Sequence, residues 1–387
     1  MNISDFDRII DRRGTQSVKW DRYPQEVIPL WIADMDFTSP PEVITALQKR
    51  VEHGIFGYSY PSMELKEIIK ERMRSRFHWD IETEWLIFMP GIVSGLNTFC
   101  KVFSSIWKEV VVQSPIYPPI LHAPDVSNLP KHELPLLEMA DGRYEIDYSD
   151  FGNVVSRQNT QFILCNPHNP TGRIFTRVEL ETLADICLKN NTLICSDEIH
   201  SDLVYSNHHH IPIASLSKEV EKQTITFIAP SKTYNIAGLG CSVAIISDPD
   251  LRLQFSHELE AFAGHANVLG LAAAHAAYKF GDSWLESLLC YLENNRDLIT
   301  KFIGANIPEL KVYPAEGTYL AWLDCRKLDL SLAPAKYFEA KAKVGLNDGA
   351  DFGEAGKGYV RLNFGCPTET LQLALQRIKV AVMGNKD

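Results

Sequence analysis

Six short runs of almost unbroken apolar character constrain this chain more than any other feature. They are WLIF (85–88), VVVQ (110–113), FILC (162–165), TLICS (192–196), ITFIA (225–229) and SVAII (242–246). Apolar and polar residues do not alternate along them, so both faces of each strand must be buried. Helical patterns lie between them. Ser39-Pro40-Pro41-Glu42 predicts a helix start with Ser39 as its cap, running to His53 and ended by Gly54. The stretch ELKEIIKERMRSRF predicts a helix after Ser62. Thr176 with Glu179, and Ser283 with Glu286, have capping-box spacing; the second pair precedes a long helix to about Phe302. Strands alternating with helices predict a largely parallel α/β sheet with right-handed crossovers.

The segments at the ends of these strands matter more for function. PGIV, SPIYPP, NPHNPTG and DEIH come after four of the runs, and PSK comes after ITFIA. Such polar and glycine-containing segments gather along one edge of a parallel sheet, where ligands bind. The C-terminal third differs: GTYLAWLD and GYVRLNFG read as strands of a second layer. A chain of 387 residues exceeds what one core usually serves. The expected division is a large unit over 45–282 and a smaller α+β unit built from 1–44 and 283–387.

A net charge of −11 argues against a nucleic-acid partner. No apolar run is long enough to span a bilayer, and the start MNISDFDRIIDRRG has no signal core, so a cytoplasmic protein is expected. The eight cysteines form no CxxC pair, and several lie in apolar runs, which predicts buried reduced thiols. His208, His209 and His210 invite a metal reading, but they have no partner at helical spacing, and no metal is expected.

Several residues suit a specific chemistry, and each also has an ordinary explanation. Lys232, three residues past ITFIA, is placed for a depressed pKa and Schiff-base formation; a solvated loop lysine is the alternative. Asp197 ends a buried strand and needs a cationic partner, such as a pyridinium nitrogen, unless it only caps a turn. Asn169 lies in the rigid turn NPHNPTG, where a fixed amide can donate to a phenolate oxygen; any turn uses such residues. Tyr117, flanked by prolines in SPIYPP, can stack on a planar heterocycle or pack in the core. Gly91, Ile92 and Val93 can offer free amides to a phosphate at a helix start, or form an ordinary turn. Arg361 interrupts an apolar strand and suits an α-carboxylate or an internal salt bridge.

Together these segments resemble fold-type I, aspartate-aminotransferase-like pyridoxal-phosphate enzymes, and within them the MalY/PatB class of cystathionine β-lyases. The likeness rests on DRRGTQSVKWD (11–21), PLWIADMDF (29–37), GYSYPSMELK (57–66) and CNPHNPTGRIFTRVELE (165–181). It continues through SDEIHSDLVY (196–205), SKTYNIAGL (231–239), EGTYLAWLD (316–324) and GYVRLNFGCP (358–367), in order over nearly the whole chain. The resemblance implies pyridoxal 5′-phosphate bound covalently to Lys232, which also moves the substrate's Cα proton. It implies Asp197 at the pyridine nitrogen, Asn169 at the phenolic oxygen, Tyr117 on the ring, and Ile92, Val93 and Gly91 at the phosphate. His200 and Ser231 join the cofactor contacts. Arg361 is implied to hold the substrate α-carboxylate, with backbone near Ala33. Tyr58 is implied to reach the site of a second subunit, making the working unit a homodimer.

Two positions depart from aminotransferases: Gly240 stands where they carry a phosphate-binding arginine, and His200 where they carry a tyrosine. The lyase subgroup shares both. Ala229 also replaces a serine usual among relatives, so weaker cofactor retention is expected. The resulting expectation is β-elimination from cystathionine or another cysteine S-conjugate, giving a thiol, pyruvate and ammonia. The rivals are an aminotransferase on the same scaffold, a regulatory binding partner of the MalY kind, and an inactive scaffold. The thiol portion of the substrate is not legible from the residues.

Overall fold

Each of the six runs forms a strand of one seven-stranded sheet. The strands are β1 (Leu86–Met89), β2 (Glu109–Ser114), β3 (Lys131–Pro135), β4 (Thr160–Cys165), β5 (Leu193–Asp197), β6 (Thr224–Ile228) and β7 (Ser242–Ile246). The computed structural model describes residues 3–157 and 159–384. The strand order is β1-β7-β6-β5-β4-β2-β3. Strand β7 is antiparallel to both its neighbours, and the other pairs are parallel. Two reversals restore direction, so β1 points the same way as β6. The C-terminal ends of β1, β2, β4, β5 and β6 therefore share one edge. Strand β3 corresponds to no predicted run: KHELP is half-buried, as an edge strand allows.

Successive residues of the central strands enter opposite cores, as the two-residue period requires. Val110, Val112, Ile163 and Cys195 pack with Leu96 and Phe99 of the helix α3 (Ile92–Val102). Val111, Phe162, Leu164 and Ile194 pack with Leu180, Leu183 and Cys187 of the helix Arg177–Lys189 on the other face. Full burial of each such side chain contributes ~1.5–3 kcal/mol, which is why the runs tolerate so few polar residues. Gly95 lets α3 lie directly on the sheet, because a Cβ there would come within 2.7 Å of Met89 Sδ.

Two expected caps are corrected. The helix Pro41–Glu52 has Pro40, not Ser39, at its N-cap, with no side-chain cap bond. The Ser39 hydroxyl instead donates to the Asn235 carbonyl at 3.0 Å. The long helix Asp282–Asn306 begins before Ser283, with Gly281 at its N-cap. Asp282 supplies its first-turn carboxylate, held by Arg72 at 3.0 Å and Arg76 at 2.6 Å, so no capping box forms there. The helix expected after Ser62 is Met63–Phe77, with Ser62 at its N-cap, and Thr176 and Glu179 form a complete capping box.

A second sheet of four antiparallel strands contains β8 (Lys311–Val312), β9 (Leu320–Asp324), β10 (Asn347–Asp348) and β11 (Tyr359–Asn363), in the order β8-β9-β11-β10. Residues Ile28–Pro29 pair in parallel with Val344–Gly345. The N-terminal segment is thereby stitched to the C-terminal layer. Beyond Pro29 it crosses towards the large sheet, where Asn235 binds Met35 N, Met35 O and Phe37 O at 2.8–3.0 Å. Buried Lys19 binds Asp36 at 2.8 Å, and Arg12 binds both Asp34 and Asp36 at 2.7 Å. These ion pairs brace the strap 31–37 against the rest of the N-terminal segment, while Asn235 holds it at the mouth of the shared strand edge. No described helix is long and apolar enough to cross a membrane.

Candidate active site

The shared strand edge opens into a cavity of about 240 Å³. Its lining includes Gly91, Ile92 and Val93 after β1, and Tyr117 after β2. Cys165 and Asn169 come from the end of β4, Asp197 and His200 from β5, and Ser231 and Lys232 from β6. Ala33, on the N-terminal strap, closes one side. Eleven of the twelve residues singled out from the sequence converge here, counting Arg361, which reaches Asn169 Oδ1 at 2.9 Å. Tyr58 is the exception within one chain: it is fully exposed and lies beside His265 and Asn267 instead.

Lys232 lies in the first turn of Pro230–Thr233, and its Nζ donates to the Ala33 carbonyl at 2.6 Å. Burial, helped by the nearby Arg361 charge, brings its amine down to about 8. The Asp197 side chain is buried, and its carboxylate accepts only the Ile199 amide among its described hydrogen bonds, at 3.2 Å. Burial pushes its carboxyl up to about 7. A carboxylate so placed lacks a cation. Burial, then Lys232 and Arg361, bring His200 down to about 3, so its imidazole is neutral. His200 Nδ1 is buried with no acceptor or donor among the described residues, and its ring meets Tyr319 edge-on at 6.0 Å.

Arg361 is 3% exposed. It donates to Asn169 Oδ1 and the Trp31 carbonyl at 2.9 Å, and to Asn347 Oδ1 at 2.6 Å. All three acceptors are neutral, and its buried Nε–H has no acceptor among the described residues. Burial brings the guanidinium down to about 10, which leaves it cationic at neutral pH. The site thus holds a positive fork with no counter-ion.

A family model for class I and II aminotransferases matches residues 25–378. The chain belongs to this family. Among its relatives, cystathionine beta-lyase PatB of Bacillus subtilis is 40% identical, over 97% of this chain and 99% of PatB. Protein MalY of Escherichia coli is 32% identical, over 95% of this chain and 96% of MalY. The crystal structure of cystalysin from Treponema denticola, which contains a pyridoxal 5′-phosphate cofactor, superposes with a TM-score of 0.93 at 34% identity, covering 98% of this chain and 99% of cystalysin.

Aminotransferases of this family use pyridoxal 5′-phosphate, and the unpaired groups of this chain fit it. Asp197 has the place and the excess proton affinity to take a ring N–H. The amides at the start of α3, capped by no side chain, offer an anion cradle. Ser231 adds a hydroxyl on the same wall, and buried Tyr117 supplies a flat face. The Asn169 side-chain oxygen is taken by Arg361, which turns the amide NH₂ free to donate. No group of three or more His, Cys, Asp or Glu that suits a metal is present among the described residues.

Sequence reasoning missed several supports. Tyr319 donates to the Ala33 carbonyl at 2.9 Å and Asn363 binds the Ile32 and Asp34 carbonyls at 2.6 Å, so the strap is fixed from both sides. Asn235 stood within SKTYN and carried a signal; Asn347, in a two-residue strand, carried none.

Proposed function

We propose that this chain is a pyridoxal-phosphate-dependent carbon–sulfur β-lyase that converts cystathionine or a related cysteine S-conjugate, with water, into a thiol, pyruvate and ammonia. The observation that carries the substrate class is Arg361: a buried cation surrounded by neutral acceptors is completed by an amino acid's α-carboxylate. The cofactor, when bound, supplies a carbonyl that links to amines and a sink for negative charge at Cα. Asp197 holds a proton on the ring nitrogen. Tyr117 and the α3 amides fix the ring and phosphate, and Asn169 donates to the phenolic oxygen. Arg361 orients the α-carboxylate beside Ala33. Lys232, with an amine brought down to about 8, has a neutral fraction at physiological pH and takes the Cα proton. Neutral His200 adds no positive charge near Lys232, so it does not further depress the amine.

Gly240 favours the lyase over the aminotransferase reading. It adopts φ +58°, and a Cβ would approach the Pro90 carbonyl to 3.2 Å. An arginine there would be strained as well as crowded. We also propose the homodimer. Val51, Ile55, Phe56, Tyr58, Tyr60 and Met63 are all more than half exposed within thirteen residues, a patch that a second copy would cover. Tyr58 would then enter the partner's site. The division into 45–282 and the two terminal segments, and a cytoplasmic location, belong to the same proposal.

The test mixes purified protein with L-cystathionine and follows pyruvate and free thiol, with and without an added 2-oxo acid. Equal amounts of pyruvate and thiol without the oxo acid are expected. Amino exchange that requires the oxo acid and releases no thiol would establish an aminotransferase.

A further inference from the structure

The one member of the histidine triplet that is buried lies behind the site. His210 binds Glu198 Oε2 through Nε2 at 2.8 Å, and both side chains are almost fully buried. The Ser196 hydroxyl donates to Glu198 Oε1 at 2.8 Å. Asn166 fixes the proton. Its Oδ1 is taken by the Phe175 amide at 3.1 Å, so its NH₂ faces His210 Nδ1 at 3.5 Å. Nδ1 is therefore the acceptor, and Nε2 carries the hydrogen given to Glu198. Both oxygens of Glu198 accept, which suits a carboxylate. Its backbone is anchored too, by Glu198 N–H to the Phe227 carbonyl at 2.9 Å. The Asp197 carbonyl accepts the Asn166 amide at 3.1 Å, so the same asparagine ties the pair to Asp197. Glu198 adds to the proton affinity of Asp197, second to burial among the effects that raise it.

We infer that Glu198, held by His210 and Ser196, is a positioning residue that places a second negative charge behind Asp197 and strengthens its hold on a protonated ring nitrogen. This rests on the assignment of that nitrogen to Asp197. Asp197 ends β5 and Glu198 follows it directly, so the field at the ring exceeds what Asp197 supplies alone.

The test compares pyridoxal 5′-phosphate with its 1-deaza analogue, in which carbon replaces the ring nitrogen, by titrating each into apoprotein. The wild type should bind the natural cofactor more tightly than the analogue. Glu198→Gln keeps the size of the side chain and an acceptor for His210, with the Ser196 hydroxyl turned to accept from the new amide, and should lower affinity for the natural cofactor about tenfold while leaving the analogue unchanged. Should that variant not fold, the double variant Glu198→Leu/His210→Leu removes the pair together, strands no charge and carries the same expectation. Equal losses for both cofactors, or none, would overturn the inference. A wild type with no preference between them would overturn the Asp197 assignment itself.

Discussion

Replacing Arg361 by methionine tests the substrate assignment most directly. Of the five N–H donors of a guanidinium, three serve Asn169, Trp31 and Asn347. Two remain, including the buried Nε–H. A hydrogen bond to a charged group contributes ~1.5–3 kcal/mol, so losing two costs roughly 3–6 kcal/mol of transition-state binding. At about 1.36 kcal/mol per decade, kcat/KM should fall on the order of 10²–10⁴-fold. The assay is thiol release from a cysteine S-conjugate and from the matching cysteamine conjugate, which lacks the carboxylate. The wild type should strongly prefer the first; Arg361→Met should lose that preference. Arg361→Lys should fall between them, since it keeps charge without the planar fork. A variant that retains wild-type kcat/KM, or that loses equal factors on both substrates, refutes the reasoning.

Lys232→Ala should abolish turnover while cofactor still binds non-covalently, as absorbance and gel filtration would show. In apoprotein, Lys232 should react with an amine-directed aldehyde with a midpoint near pH 8, read by mass spectrometry, and Arg361→Met should move that midpoint upward. The cost of burying the charged amine is full below about 8 and gone above the ordinary 10.5, so apoprotein stability should rise with pH across that window in urea unfolding. Ala229→Ser should tighten cofactor binding by on the order of 1–3 kcal/mol in a titration of apoprotein, and equal affinities would dismiss the missing hydroxyl. Arg72→Met leaves buried Asp202 without its 2.7 Å partner and should destabilise the protein by roughly 3–5 kcal/mol, again in urea unfolding.

The sheet was legible because burial on both faces leaves no room for ambiguity: all six runs became strands of one sheet. KHELP was not, since an edge strand with one open side need not be apolar. Caps were legible where a hydroxyl and its glutamate meet at local spacing, as at Thr176, and misleading where a distant residue takes the hydroxyl, as Asn235 does for Ser39. Site residues on the strand ends were legible through position. Asn347 and Tyr319 were not, because their roles depend on how the second sheet docks, which no local pattern encodes. The histidine triplet shows the same limit: spacing argued against a metal, but only the fold reveals that His210 meets Glu198.

The stitching of the two chain ends has a consequence for biosynthesis. Asn363 binds the Ile32 carbonyl across 331 residues of chain. At about 5–20 residues per second, roughly a quarter of a minute to a minute separates the emergence of the strap from that of its anchor. Asp197, at the end of β5, and Lys232, just after β6, are synthesised well before then. The residues proposed to hold the cofactor are therefore synthesised well before Arg361, the residue proposed to grip the substrate carboxylate.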